Sequence, residues 1–239
     1  MRIIFVVLIL GISASAWAAY FFLGGLAEDD NMIIRREFSE SAQALEPNAT
    51  HGNAEFQTDL GLLYLNAHEL VRDPIIAATW FEQAAKQGHA KAQYLLGKLY
   101  EDGQGVHQDY EVAARWYGRA AKINGYPDAQ YALGRLYARG LGVGNDTAAA
   151  LQWYREAAEG GQAVAQYLIG RIYETGYGVR EDKIKAYLWY SLSEKKSEVV
   201  TAENPDYDPL DALKRLTDSM NQSQKDAAEK LLKQWSPTH

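Results

Sequence analysis

The chain has 239 residues, no cysteine and a formal net charge of −7, with 47% hydrophobic and 23% charged residues. That length and balance suit an ordinary globular protein of one or two domains with a buried core. The acidic balance argues against nucleic acid as a partner, which needs a cationic surface. The missing cysteines exclude disulfides, thiolate metal sites, cysteine nucleophiles and a lipidated-cysteine anchor.

The N-terminus is apolar or small from Ile3 to Leu26, after Met1 and Arg2. A helix over that run reaches about 36 Å, enough to cross a hydrocarbon layer of about 30 Å. Arg2 lies before it and Glu28, Asp29 and Asp30 after it, which sets the following chain outside the cytoplasm. A rival reading takes Ile3–Leu10 as a signal-peptide core and Ala16-Trp17-Ala18 as its cleavage site. Tyr20-Phe21-Phe22-Leu23 suits a membrane interface and favours an uncleaved anchor. Residues 1–26 are therefore expected to be a membrane anchor or a signal peptide. Residues 27–53 are expected to form a linker and a capping helix, with helical spacing from Ile33 to Leu45 and Pro47 beyond it.

Four repeats follow. Trp80, Trp116, Trp153 and Trp189 recur at intervals of 36, 37 and 36 residues. Gly61, Gly97, Gly134 and Gly170 keep the same phase, as do Asp73, Asp109, Asp146 and Asp182. The units are residues 54–89, 90–126, 127–162 and 163–198. The single extra residue falls between Ala121 and Ala129 and is assigned to a connection, where insertions are tolerated.

Each unit reads as two helices. Ala92, Leu96, Leu99 and Tyr100 form one apolar face of the first, and the pattern returns as Ala129, Leu133, Leu136, Tyr137 and as Ala165, Ile169, Ile172, Tyr173. Glycine inside a helix costs about 1 kcal/mol against alanine, so its return at Gly97, Gly134 and Gly170 predicts a close helix crossing. Asp73 and its equivalents N-cap the second helix, where Ala113, Trp116 and Ala120 form the expected buried stripe. The loop glycines Gly103 and Gly105 recur as Gly140 and Gly142 and as Gly176 and Gly178, each pair ahead of a capping aspartate. Their fixed pitch, without a P-loop Lys-Ser/Thr pair, reads as a turn of positive φ and not as a phosphate site. The first unit is degenerate, with Ala67 and Glu69 for its loop glycines.

After Trp189 the pattern fades into a polar, proline-bearing connection. Two amphipathic helices are expected near 209–219, lined by Leu210, Leu213 and Leu216, and near 222–235, lined by Ala227, Ala228, Leu231, Leu232 and Trp235. Residues 199–239 would cap the array. Two-helix units of this size bury both faces only by stacking. The fold expected is an all-α, α/α solenoid.

The string A-Q-Y-x-L-G-x-L-Y-x-x-G-x-G-V-x-x-D, followed by A-x-x-W-[FY]-x-x-A-A, resembles the Sel-1-like repeat, a relative of the tetratricopeptide repeat, over about residues 52–195. The resemblance implies a right-handed α/α superhelix that serves as an adaptor or scaffold, often in the bacterial envelope. Small disulfide-rich members are credited with β-lactam binding or hydrolysis, and the lack of cysteine sets this chain apart from them.

Catalysis needs converging acids, bases or nucleophiles. His51, His68, His89, His107 and His239 form no i, i+4 ligand pair and no HExxH string, so neither a metal site nor a cofactor is expected. Ser193-Glu194-Lys195-Lys196 spells the S-x-x-K of serine β-lactamases without its S-D-N and K-T-G companions. No catalytic residue is assigned. One constellation stands out. Tyr94, Tyr131 and Tyr167 precede the repeat glycine by three residues, and Lys98, Arg135 and Arg171 follow it by one. The members of each pair lie at i, i+4 and share a helix face.

By analogy with tetratricopeptide arrays, the first helices line the concave side. Stacking would then set a ladder of tyrosines beside a ladder of cations, a candidate groove for a peptide, an acidic chain or a glycan. The same tyrosines fit a second role, packing between units. Thr58 and Leu62 end the ladder in the first unit. The expected function is a non-enzymatic protein–protein interaction scaffold of the bacterial envelope. It would sit in the inner membrane with a periplasmic repeat domain, or free in the periplasm if cleaved. The alternatives are a cell-wall or glycan-binding module and a cell-wall or β-lactam hydrolase. Expected partners are other envelope proteins, and the membrane through the N-terminal segment. Nucleic acid and small-molecule ligands are not expected.

Overall fold

The computed structural model describes residues 26–235. The expected anchor or signal peptide therefore lies outside the described residues, apart from Leu26. Among the described residues no helix is long and apolar enough to cross a membrane, and all regular structure is helical. Helix α1 (Leu26–Thr50) precedes four helical hairpins. These are α2 (Ala54–Asn66) with α3 (Pro74–Lys86), α4 (Ala90–Asp102) with α5 (Tyr110–Asn124), α6 (Pro127–Arg139) with α7 (Thr147–Glu159), and α8 (Ala163–Thr175) with α9 (Lys183–Glu194). From α1 to α9 each helix packs on its sequence neighbours, the contact pattern of a solenoid. Helices α10 (Ser197–Glu203), α11 (Pro209–Asp218) and α12 (Gln222–Gln234) follow, and α11 and α12 both pack on α9.

The repeat glycine is where the two helices of a hairpin cross. A Cβ on Gly61 would lie 2.5 Å from the Phe81 ring; on Gly97, Gly134 and Gly170 it would lie 2.7, 2.8 and 2.7 Å from the rings of Tyr117, Tyr154 and Tyr190. The ring fills the volume that a side chain would need. This moves the expected stripe on the second helix. Ala113 and Ala120 are fully buried, but Tyr117 lies between them and Trp116 is only half-buried. The reason is the room opposite: glycine leaves space for a ring one residue after the tryptophan. Trp80 and Trp116 lie half-buried at the edges of clusters that join their own hairpin to the element before it, whereas Trp189 is buried and meets the Trp235 ring edge-on. Arg119 lies 4.5 Å over the Trp116 ring.

Each hairpin loop repeats one hydrogen-bond plan. The backbone N–H of Asp73, Asp109, Asp146 and Asp182 donates to the carbonyl of Tyr64, Tyr100, Tyr137 and Tyr173. Each aspartate side chain then accepts two N–H groups at the start of the next helix, which satisfies donors that a helix end leaves free. Gly103 and Gly105 take φ of 68° and 70°, a left-handed conformation that only glycine adopts without strain. A side chain on Gly105 would run into the backbone at Pro74, the start of α3. The loop thus turns the chain and, at Gly105 and Gly142, also seats the second and third hairpins on the one before.

A buried glutamine at the start of each first helix adds a second tie. The side-chain amides of Gln57, Gln93 and Gln166 donate to the carbonyls of Ala49, Ala85 and Ala158 on the preceding helix, at 3.0, 3.1 and 3.1 Å. Ala49 belongs to α1, so α1 serves the first hairpin as a lone second helix would. It is longer than expected: residues 27–32, read as linker, are helical, and the helix continues through Pro47. Ala49 at the far end is fully buried and receives Gln57, which holds the last turn in place.

Three further differences have local causes. The extra residue near Asn124 is absorbed by helix and not by a connection, because α5 runs on until the left-handed Gly125, whose N–H caps Ala120 and Ala121. Residues 197–203, read as connection, form α10, with Val200 fully buried. On the capping helices Leu210 and Ala227 are exposed, while Ala212, Leu216 and Ala228 make the contacts. A contrast of two glycines tests the crossing. Gly97→Ala is expected to lower stability by about 1–3 kcal/mol through overpacking. Gly118→Ala, with nothing within 4 Å of its Cβ position, is expected to raise it by about 0.5–1 kcal/mol. Urea unfolding followed by circular dichroism reads both.

Candidate functional site

The three tyrosine–cation pairs occupy equivalent places on α4, α6 and α8. Each ring leans on the crossing tyrosine of its own hairpin: Tyr94 on Tyr117 at 5.7 Å, Tyr131 on Tyr154 at 5.8 Å, and Tyr167 on Tyr190 at 5.3 Å between centroids. The ladder is thus continuous with the hairpin cores, and Tyr167 is itself buried. The Tyr126 ring lies 5.5 Å from that of Tyr94, tilted by 41°. Burial pushes Tyr94 and Tyr154 up to about 12. It raises Tyr117, Tyr131 and Tyr190 as well, with help from the adjoining carboxylates.

The cations differ from one another. Lys98 is exposed and forms no ion pair among the described residues. Arg135 is half-buried between two carboxylates, with Nη2 on Glu101 Oε1 and Nη1 on Glu203 Oε1 at 3.2 Å. Arg171 is exposed and lies over the ring of Tyr207 at 5.5 Å.

Sequence reasoning missed the acidic half of this site. Glu101 is buried and accepts from Tyr117 Oη at 2.7 Å in addition to Arg135. Glu174 accepts from Tyr190 Oη at 2.7 Å in the same way. Both stand four residues after the crossing glycine, so a signal was present. Ala138 and Leu65 hold the equivalent positions in the other hairpins, and there Leu65 is matched by Phe81, which has no hydroxyl.

Glu203 and Tyr207 carried no such signal. Helix α10 packs on α8 and brings Glu203 to accept from Tyr131 Oη at 3.0 Å and from Arg135. A turn at Asn204, whose Oδ1 accepts the Asp206 N–H at 3.0 Å and whose carbonyl accepts the Tyr207 N–H at 2.9 Å, reverses the chain. Tyr207 then stacks on Tyr167 with centroids 4.9 Å apart and planes at 28°.

The S-x-x-K string makes no site. Ser193 is fully buried, and its hydroxyl donates to the Tyr190 carbonyl at 2.9 Å, while Lys196 is exposed at the start of α10. The helical phase puts Ser193 at the repeat's buried alanine position, which withdraws the nucleophile from any substrate. No group of His, Asp and Glu side chains among the described residues is arranged to hold a metal ion.

Residues 54–89, 90–124, 127–162 and 163–196, more than half of the chain, match the Sel1 repeat. The chain belongs to the Sel1 repeat family. A Sel1 repeat protein from Oxalobacter formigenes superimposes with a TM-score of 0.64 at 30% identity, covering 81% of this chain and 59% of that one. A protective antigen present in uropathogenic Escherichia coli strains superimposes with a TM-score of 0.60 at 40% identity, covering 65% of this chain and 33% of that one. The Sel1 chain described here thus spans less than two thirds of either relative. A search of curated proteins found no significant match.

Two predictions follow the acidic network of this Sel1 array. Glu101→Ala leaves Tyr117 and Arg135 without their inner partner, an expected loss on the order of 3 kcal/mol. Combined with Tyr117→Phe it should cost less than the sum, with a coupling of about 1–2 kcal/mol in a double-mutant cycle. The second concerns alkali. The phenols of the unfolded chain ionise near 10, whereas the folded state holds Tyr94 and Tyr154 protonated to about 12. Above pH 10 the unfolded state therefore binds fewer protons than the folded one, and stability must fall as pH rises. Urea midpoints should drop steadily from pH 10 to 12, in step with tyrosinate absorbance.

Proposed function

We propose that this Sel1 repeat protein is a non-enzymatic interaction scaffold of the bacterial envelope that recognises polypeptide on the face built from its first helices. One observation carries the reading: that face already holds a polypeptide. Tyr131 and Arg135 grip the carboxylate of Glu203, a residue 68 positions further along the chain from Arg135. Tyr167 and Arg171 take an aromatic ring, Tyr207. Tyrosine and arginine are the side chains that most often anchor protein interfaces. Tyr167 is already held by core packing, so its ordering cost on binding is small.

The envelope assignment is supported by the apolar run of residues 3–26 with Arg2 before it and three acidic residues after it, a pattern that fits repeats in the periplasm, tethered or released. The non-enzymatic reading is supported by the burial of Ser193, whose hydroxyl is spent on the Tyr190 carbonyl.

Lys98 and Arg171 are the side chains that test binding without touching the core, since both are exposed. Lys98→Glu with Arg171→Glu should abolish cross-linking to the partner in the native cells while shifting unfolding by no more than about 0.5 kcal/mol per site. Undiminished cross-linking would remove this face as the recognition surface. Protease added to spheroplasts should degrade the repeats, and protection there would refute the periplasmic placement.

A further inference from the structure

We propose that residues 195–208 are a built-in occupant of the recognition face. A partner then binds by replacing them with a segment of the same chemistry, a carboxylate followed four residues later by an aromatic ring. The inference rests on the reading of the first-helix face as a polypeptide-binding surface, and it names both the partner class and its competitor.

The segment is placed as a ligand and not as a cap. Helices α11 and α12 pack on α9 and close the end of the array, whereas α10 packs mainly on α8. Its seven residues are too few to hold a helix without neighbours. Its apolar anchoring is confined to two side chains, Val200, fully buried in the cluster that joins α8 and α9 to the capping helices, and the Tyr207 ring packed against that cluster; Val199 is 54% exposed. The remaining hold on the face is polar and aromatic, through Glu203 on Tyr131 and Arg135 and through Tyr207 between Tyr167 and Arg171.

The charges allow exchange. Arg135 has two carboxylate partners of different standing. The Glu101 side chain is 10% exposed and is also held by Tyr117. The Glu203 side chain is 37% exposed and comes from the segment. When the segment leaves, Glu101 still neutralises the guanidinium, so opening does not strand a buried charge. Arg135 and Tyr131 then present a donor pair to an incoming carboxylate, and Tyr167 with Arg171 presents a slot for a ring. Lys98 extends the row of cations beyond the reach of the resident segment, which favours an acidic partner longer than the segment itself.

The test uses the full chain and a fluorescein-labelled synthetic peptide with the sequence of residues 196–209. Fluorescence anisotropy is read for the wild type and for Glu203→Ala with Tyr207→Ala, after circular dichroism has shown the variant to be folded. The variant should bind the peptide at least about tenfold tighter than the wild type, because the resident segment no longer occupies the face. A peptide carrying the same two alanines should not bind. Equal binding by wild type and variant, or no binding by the variant at millimolar peptide, overturns the proposal. Hydrogen exchange on the unaltered chain gives a second reading. Amides of α10 should exchange by local opening, faster than those of α9 and α11, and faster still with peptide present. Exchange of α10 only through global unfolding would make it a fixed part of the fold and overturn the proposal. If the chain forms a dimer that the peptide dissolves, the occupant is the segment of a second copy and the separate partner is refuted. The cross-link through Lys98 and Arg171 reads the scaffold function independently of all these outcomes.

Discussion

Each hairpin depends on an aromatic ring seated in the space of an absent side chain. Where Gly61, Gly97, Gly134 and Gly170 cross Phe81, Tyr117, Tyr154 and Tyr190, the two backbones approach as closely as a ring allows. Interiors are close-packed and transmit small displacements, so this contact fixes how far apart the two helices lie. It also fixes where the outer residues of the first helix fall. Tyr94, Tyr131 and Tyr167 each lean on a crossing tyrosine, and the cation one turn further on takes its place from them. The proposed recognition face is in this sense the outer surface of the packing that holds the hairpins together.

That coupling explains why the residues proposed for recognition also serve stability. The crossing tyrosines carry hydroxyls into the interior, and a buried hydroxyl needs a partner. Glu101 and Glu174 supply it in two hairpins; the first hairpin avoids the need with Phe81. Glu101 in turn needs a cation, and Arg135 of the next hairpin provides one. A short chain of necessities thus runs from a helix crossing to the half-buried guanidinium of the next hairpin. The segment of residues 195–208 ends it by adding a second carboxylate and a ring.

Much of this was legible because the repeat displays it several times. The capping aspartates, the crossing glycines and the loop glycines each recur in phase, and a local requirement repeated at one pitch is hard to mistake. Glu101 and Glu174 recur only twice and were passed over, although each faces a tyrosine that needs it. The burial of Tyr117 in place of Trp116 was not legible, since the two neighbours lie about 100° apart around the helix, either can border the alanine stripe, and the empty space at Gly97 chooses between them. The fate of the extra residue was decided by Gly125: the helix extends until a residue takes the left-handed conformation.

By itself the sequence determined the repeat number, the helical hairpins, the capping chemistry and the pairing of tyrosine with cation. All of these follow from spacing along one helix or from the φ that a residue allows. Only the tertiary structure decided what those pairs touch. Glu203 and Tyr207 lie 68 and 40 positions after the residues they meet, Arg135 and Tyr167, and no periodicity spans such a gap. Their arrival depends on how α10 folds back on α8 after the array ends. That is a matter of which surface lies within reach of a short tethered segment, and it is set by the stacked hairpins as a whole.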